Sequence, residues 1–146
     1  MVKFLQINLN RSRQAQDLST QVMLESDIGV LLLSEHNNLP PNSNSVEDEN
    51  CNAAIVWKAD ICPVPIRILE KGRGYIAVKI GRINIYSCYF SPNRGITEFE
   101  IFLDDLANSV RRHMSGMTLI AGDFNAKSAC WGLIEVAQEG EFWKSG

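Results

Sequence analysis

No apolar run in the chain approaches the ~20 residues that a membrane-spanning helix needs. The longest, Ile28 to Leu33, has the length of a strand. Met1-Val2-Lys3-Phe4 shows no apolar block followed by a small-residue cleavage site, so the opening does not signal secretion. No Cys-x-x-Cys pair occurs, and Cys51, Cys62, Cys88 and Cys130 are scattered. They read as reduced thiols of an intracellular protein rather than as disulfides or a zinc site. No membrane partner is expected. Positive charge is not in excess: 14 Lys+Arg face 17 Asp+Glu, a net of -3, and the pI is about 5.4. Binding to nucleic acid by phosphate neutralisation alone is thereby excluded. Any such contact has to come from a local site or a metal ion.

What remains is an ordinary globular composition, 45% hydrophobic and 21% charged over 146 residues, enough for one domain. Val2 to Asn8 predicts a first strand, and Gln14 to Glu25 a helix with Ala15, Leu18 and Val22 on one face. Ser12 is placed to cap that helix. Ile28 to Ser34 is apolar without alternation, as in a strand covered on both faces. Glu35 to Asn50 reads as a polar loop. Ala53 to Trp57, Ile66 to Leu69, Tyr75 to Ile80 and Ile83 to Phe90 read as strands, with a turn at Lys71-Gly72-Arg73-Gly74.

Thr97 to Met114 is amphipathic, with Phe99, Phe102, Leu103, Leu106 and Val110 on one stripe. Thr97 and Glu100 have capping-box spacing. Thr118 to Ala121 is a short buried strand, and the tail after Gly132 is a helical candidate with Trp143 near its end. The order predicts layered sheet and helices, an α/β or α+β fold.

Polar residues stand at the ends of several of these strands: Asn8, Glu35, Tyr89, and the pair Asp123 and Asn125. Ligands gather at the carboxyl ends of strands in open sheets. Oxygen donors of this kind suit a hard cation such as Mg2+. Each residue taken alone also reads as ordinary strand-end or turn chemistry.

The strings themselves say more. Gln6-Ile7-Asn8-Leu9-Asn10-Arg11-Ser12, Leu32-Leu33-Ser34-Glu35, Tyr89-Phe90-Ser91-Pro92 and Ala121-Gly122-Asp123-Phe124-Asn125-Ala126, then Trp131-Gly132, occur in one order. The chain resembles the endonuclease/exonuclease/phosphatase superfamily over about residues 2–132. Within it, the chain resembles the apurinic/apyrimidinic-like endonuclease domain of non-LTR retrotransposons.

The resemblance implies a four-layer α/β sandwich of the deoxyribonuclease-I-like type and metal-assisted phosphodiester hydrolysis. Carried over by motif, Glu35 is the Mg2+ carboxylate, and Mn2+ is an alternative ion. Asn8 is the amide near the metal, and Asn10 a metal neighbour. Asp123 and Asn125 activate the attacking water and hold the phosphate, and Tyr89 stands beside the scissile phosphate. DNA is the implied substrate, which places a working enzyme in the nucleus. A reverse transcriptase is expected downstream in full-length relatives.

The family's second half ends in a Ser-Asp-His motif, which does not follow Asp123 here. His36 and His113 read as incidental. The resemblance therefore implies that 1–146 is one incomplete domain, its N-terminal portion only. Losing ~400 Å2 of apolar burial with the other half corresponds to roughly 10 kcal/mol, so a marginal or aggregation-prone chain is expected.

Three readings of function follow. The first is a DNA-nicking endonuclease, inactive if the second half is essential. The second is a non-catalytic relic, or a fragment binding nucleic acid or protein through Arg11, Arg13, Lys71, Arg73 and Arg94. The third is an inositol-phosphate or lipid phosphatase, against which the retrotransposon-like strings argue.

Overall fold

The computed structural model describes residues 2–40, 44–60, 66–124, 133–136 and 142–145. Strand β1 (Lys3–Asn8) leads into helix α1 (Arg13–Glu25), and β2 (Ile28–Ser34) returns beside β1 in parallel register. The Ser12 hydroxyl accepts the Ala15 amide at 3.1 Å and caps α1, as the sequence predicts. β4 (Ala53–Trp57) pairs antiparallel with β2, and β3 (Ser45–Glu47) with β4. The first sheet thus has the order β1-β2-β4-β3.

The second sheet is built from β5 (Ile66–Lys71), β6 (Tyr75–Ile80), β7 (Ile83–Tyr89) and β8 (Met117–Asp123). Helix α2 (Ile96–Arg112) is the crossover that lets β7 and β8 run parallel. β9 (Leu133–Val136) and β10 (Phe142–Ser145) complete the order β10-β9-β8-β7-β6-β5.

Three apolar clusters bind four layers together. Val30, Leu32 and Ile55 of the first sheet meet Ile76, Val78, Ile85 and Tyr89 of the second, forming the core between sheets. Leu31 and Leu33 turn the other way, onto Met23 and Val22 of α1. Tyr86, Cys88 and Ile120 face Phe99, Phe102, Leu106 and Val110 of α2. β2 and β7 thus lie with apolar cover on both faces, which is why β2 lacks alternation. The arrangement is helix, sheet, sheet, helix, the expected α/β sandwich.

The structure corrects several local expectations. The predicted loop 35–50 contains β3, because Val46 packs against the inter-sheet core. The sequence places Leu18 on the buried face of α1, but it is 62% exposed. At about 100° per residue it falls on the flank of the stripe formed by Ala15, Ser19, Val22 and Met23. Leu103 of α2 is likewise more exposed than its stripe partners.

Thr97 does not cap α2. The N-cap is Gly95, with no side-chain cap bond, and Arg94 pairs with Glu98 at 2.7 Å beside it. The tail is strand where the sequence suggests helix. β9 pairs antiparallel with β8, matching Thr118 to Val136, and so covers an edge that would otherwise be open. Cys51 and Cys88 are free thiols, as expected; Cys62 and Cys130 lie outside the described residues.

Candidate active site

Two parallel strand pairs end at the same place. Asn8 lies opposite Ser34 in β1–β2, and Tyr89 opposite Asp123 in β7–β8. Alternation sends Val2, just before β1, Phe4 of β1, and Leu119 and Ala121 of β8 into the space between the sheets. Asn8 and Asp123 continue those two rows, so both side chains emerge at the mouth of the inter-sheet core. They meet there: the Asn8 side-chain amide donates to Asp123 Oδ2. Two buried hydroxyls fix the sheets to one another just behind the site. Ser34 donates to the Cys88 carbonyl at 3.3 Å, and Ser87 to the Leu33 carbonyl at 3.5 Å.

Glu35 follows Ser34, and strict alternation would turn it toward α1. A left-handed backbone, φ +50°, breaks the alternation at that residue. The Glu35 carboxylate lies near enough to the Tyr89 hydroxyl to act on its ionisation. Burial raises the Tyr89 pKa, and the negative charges of Glu35 and Asp123 raise it further. Tyr89 is 9% exposed and stays a neutral phenol, a hydrogen-bond donor at neutral pH.

Asn10, expected as a metal neighbour, contributes its backbone. Its N–H donates to Asn8 Oδ1 at 2.7 Å and sets the Asn8 amide with its NH2 toward Asp123. Asn125 lies outside the described residues. Asn8, Glu35, Tyr89 and Asp123 thus form one group drawn from four strand ends.

Sequence reasoning missed a second ring of residues around this group. Asp48, within the acidic run of the predicted loop, is fully buried. Its carboxylate accepts the amides of Asn52 at 2.7 Å, Ala53 at 2.9 Å and Gly74 at 2.8 Å. The Asn52 carbonyl in turn accepts the Glu35 amide at 2.8 Å, and the Gly74 carbonyl accepts the Tyr89 amide at 2.8 Å. A buried Asp flanked by Glu47 and Glu49 leaves no mark in composition, because its partners are backbone groups.

The histidines stand apart from the group. His36 Nε2 lies 2.8 Å from Glu47, and His113 Nε2 lies 3.0 Å from Glu70. Several basic residues are engaged within the protein. Arg11 donates to the carbonyls of His36 and Cys51 and to the Asn52 side chain. Arg94 holds Glu98 and stacks over Phe90 at 5.2 Å, and Arg73 lies 3.8 Å from Glu49.

Among the described residues no three His, Cys, Asp or Glu side chains stand together as a metal cage. The donors at hand are two carboxylates, an amide and a phenol. They fit a hard ion that takes one or two protein carboxylates and fills the rest of its shell with water and phosphate oxygen. They lack the histidine nitrogen or cysteine sulfur on which zinc sites are built. Among the described residues no helix is long and apolar enough to cross a membrane.

Known proteins bear on this geometry. No curated protein matches the chain. Its structure is similar to the endonuclease domain of TRAS1, a telomere-specific non-LTR retrotransposon, with a TM-score of 0.74 and 23% identity. The likeness covers 90% of this chain and 63% of that domain, so the chain spans under two thirds of its relative's length. Residues 83–143, from β7 through β10, match the family of endonuclease-reverse transcriptase proteins. The family match thus falls on the β7–β10 part of the chain, and the likeness to the TRAS1 domain is one of fold.

Proposed function

We propose that the chain is the Mg2+-dependent, DNA-nicking endonuclease portion of a retrotransposon-type protein. The observation that carries this reading is the meeting of Asn8, Glu35, Tyr89 and Asp123 at one mouth of the sandwich. A phosphodiester is anionic and resists attack by water. Mg2+ held by Glu35, with Mn2+ as a substitute, would neutralise a nonbridging oxygen and stabilise the leaving alkoxide.

The remaining work falls to this chain's own side chains. Asp123 orients the attacking water and takes its proton. Asn8 holds one oxygen of that carboxylate and so sets its plane. Tyr89, kept neutral by its surroundings, donates to a phosphate oxygen without adding charge. Asn125 supplies a second neutral donor. The nuclear location and the downstream reverse transcriptase follow from the same reading.

Supercoiled plasmid is the test substrate. The expected outcome is Mg2+-dependent conversion to the nicked circle, abolished by chelation and lost in Glu35→Ala and Asp123→Ala. A folded chain that leaves plasmid intact with both Mg2+ and Mn2+ would overturn the catalytic reading. Unchanged DNA binding by both variants in that folded, inactive chain would favour the binding-fragment reading.

A further inference from the structure

The geometry points to Arg11 as the positioning residue for Glu35, a clamp that holds the metal carboxylate in place rather than a contact for DNA phosphate. The inference rests on the nuclease reading for its functional consequence, though not for its structural part. Arg11 stands after β1, yet its guanidinium reaches two other segments. Nη1 donates to the carbonyl of His36, the residue after Glu35, and to the Cys51 carbonyl at 3.3 Å. Nη2 donates to the Asn52 side-chain oxygen. A guanidinium presents its donors in a rigid fork, so one residue can serve three acceptors at fixed angles.

The backbone closes the same ring. The Arg11 amide donates to the Glu35 carbonyl, and the Glu35 amide to the Asn52 carbonyl, both at 2.8 Å. Glu35 is therefore held on each side of its Cα by segments that the Arg11 side chain ties together. The arrangement needs holding, because Asn10, Arg11, Glu35 and Cys51 all have positive φ, from 50° to 58°. Non-glycine residues rarely adopt this conformation, and it persists where surrounding contacts impose it. Were the clamp released, Glu35 would be free to relax toward ordinary strand geometry, which aims its carboxylate at the α1 side. The acceptors already bonded to Nη1 and Nη2 also argue against a phosphate role, since those donors face inward to carbonyl oxygen.

The test compares the intact chain with Arg11→Ala and Arg11→Lys. Lysine keeps the charge and most of the stem but lacks the fork. Hydrogen exchange at the Glu35 amide reads the positioning directly and needs no activity. Exchange is expected to accelerate about tenfold or more in both variants, with β2 and β7 core amides unchanged. In plasmid nicking, both variants are expected to need about tenfold more Mg2+ for half-maximal rate, at nearly unchanged KM for DNA. If Arg11→Ala unfolds throughout, Arg11→Lys carries the same comparison. Wild-type exchange at Glu35 in a folded variant overturns the inference. So does a variant pair in which lysine restores activity and alanine raises KM for DNA, the signature of a phosphate contact. A wild-type chain that does not nick plasmid overturns the nuclease reading alone, and the exchange result then decides the structural role of Arg11.

Discussion

The Asn8 amide donates to the Asp123 carboxylate across 115 residues of sequence and from one sheet to the other. Neither strand could place the pair alone. β1 brings Asn8 to the carboxyl end of the first sheet, and β8 brings Asp123 to the same end of the second.

Removing that bond should weaken catalysis more than folding. Asn8→Ala leaves the carboxylate without the donor that sets its plane. A loss of about 10- to 100-fold in single-turnover nicking is expected, with Tm lowered by no more than a few degrees. Asn8→Asp should lose more, because two carboxylates then face each other. Rates and thermal melts measured on the same preparations check both statements.

Gly122 precedes Asp123 with φ +150°, and a Cβ built there would sit 2.1 Å from the Cys88 carbonyl oxygen. β7 and β8 can run together at this point only because no side chain intervenes. Gly122→Ala is expected to destabilise the fold by about 3 kcal/mol or more, by forcing the strands apart beside the site. Urea unfolding gives the number.

Asp48 is a buried acceptor for backbone amides in two segments, one hydrogen-bonded to the Glu35 amide and the other to the Tyr89 amide. Asp48→Ala strands those donors away from water. A cost of about 3–5 kcal/mol is expected, with Asp48→Asn in between because one acceptor oxygen survives. Equilibrium denaturation of the two variants should show that order.

Glu70 gives the chain an acid-sensitive joint. Burial raises its carboxyl pKa, but hydrogen bonds from Ser109, Arg112, Tyr75 and His113 outweigh burial and bring it to about 2, from an ordinary 4.5. The folded value lies below the unfolded one. The stabilisation is therefore complete above the ordinary carboxyl range and is lost as pH falls from about 4.5 toward 2. At most about 3 kcal/mol is involved, less in salt because Arg112 is half exposed. Glu70→Gln should flatten the acid limb of a stability–pH profile between about pH 4.5 and 2.

Much of the fold was legible in the chain itself. The unalternating run Ile28 to Ser34 declared a strand with two covered faces, and the α2 stripe declared what it would bury. Ser12 marked the start of α1 through a bond made three residues away. These are local matters, set by periodicity and capping, and a sequence carries them directly. The tail was misread for the opposite reason. Leu133–Val136 is strand because β8 offers an edge, and an edge exists only once the sheet is assembled.

The site divides along the same line. The sequence by itself determined which residues carry oxygen donors and that each stands at a strand end. Composition had already confined any DNA contact to a local site. Only the tertiary structure decided that Asn8 touches Asp123, that Glu35 lies near Tyr89, and that Asp48 and Arg11 hold the loops around them. Those relationships depend on two sheets stacking in one register and on side chains bonding to backbone groups of distant loops. Backbone carbonyls and amides are the same in every residue, so their pairing leaves no signature in the order of side chains.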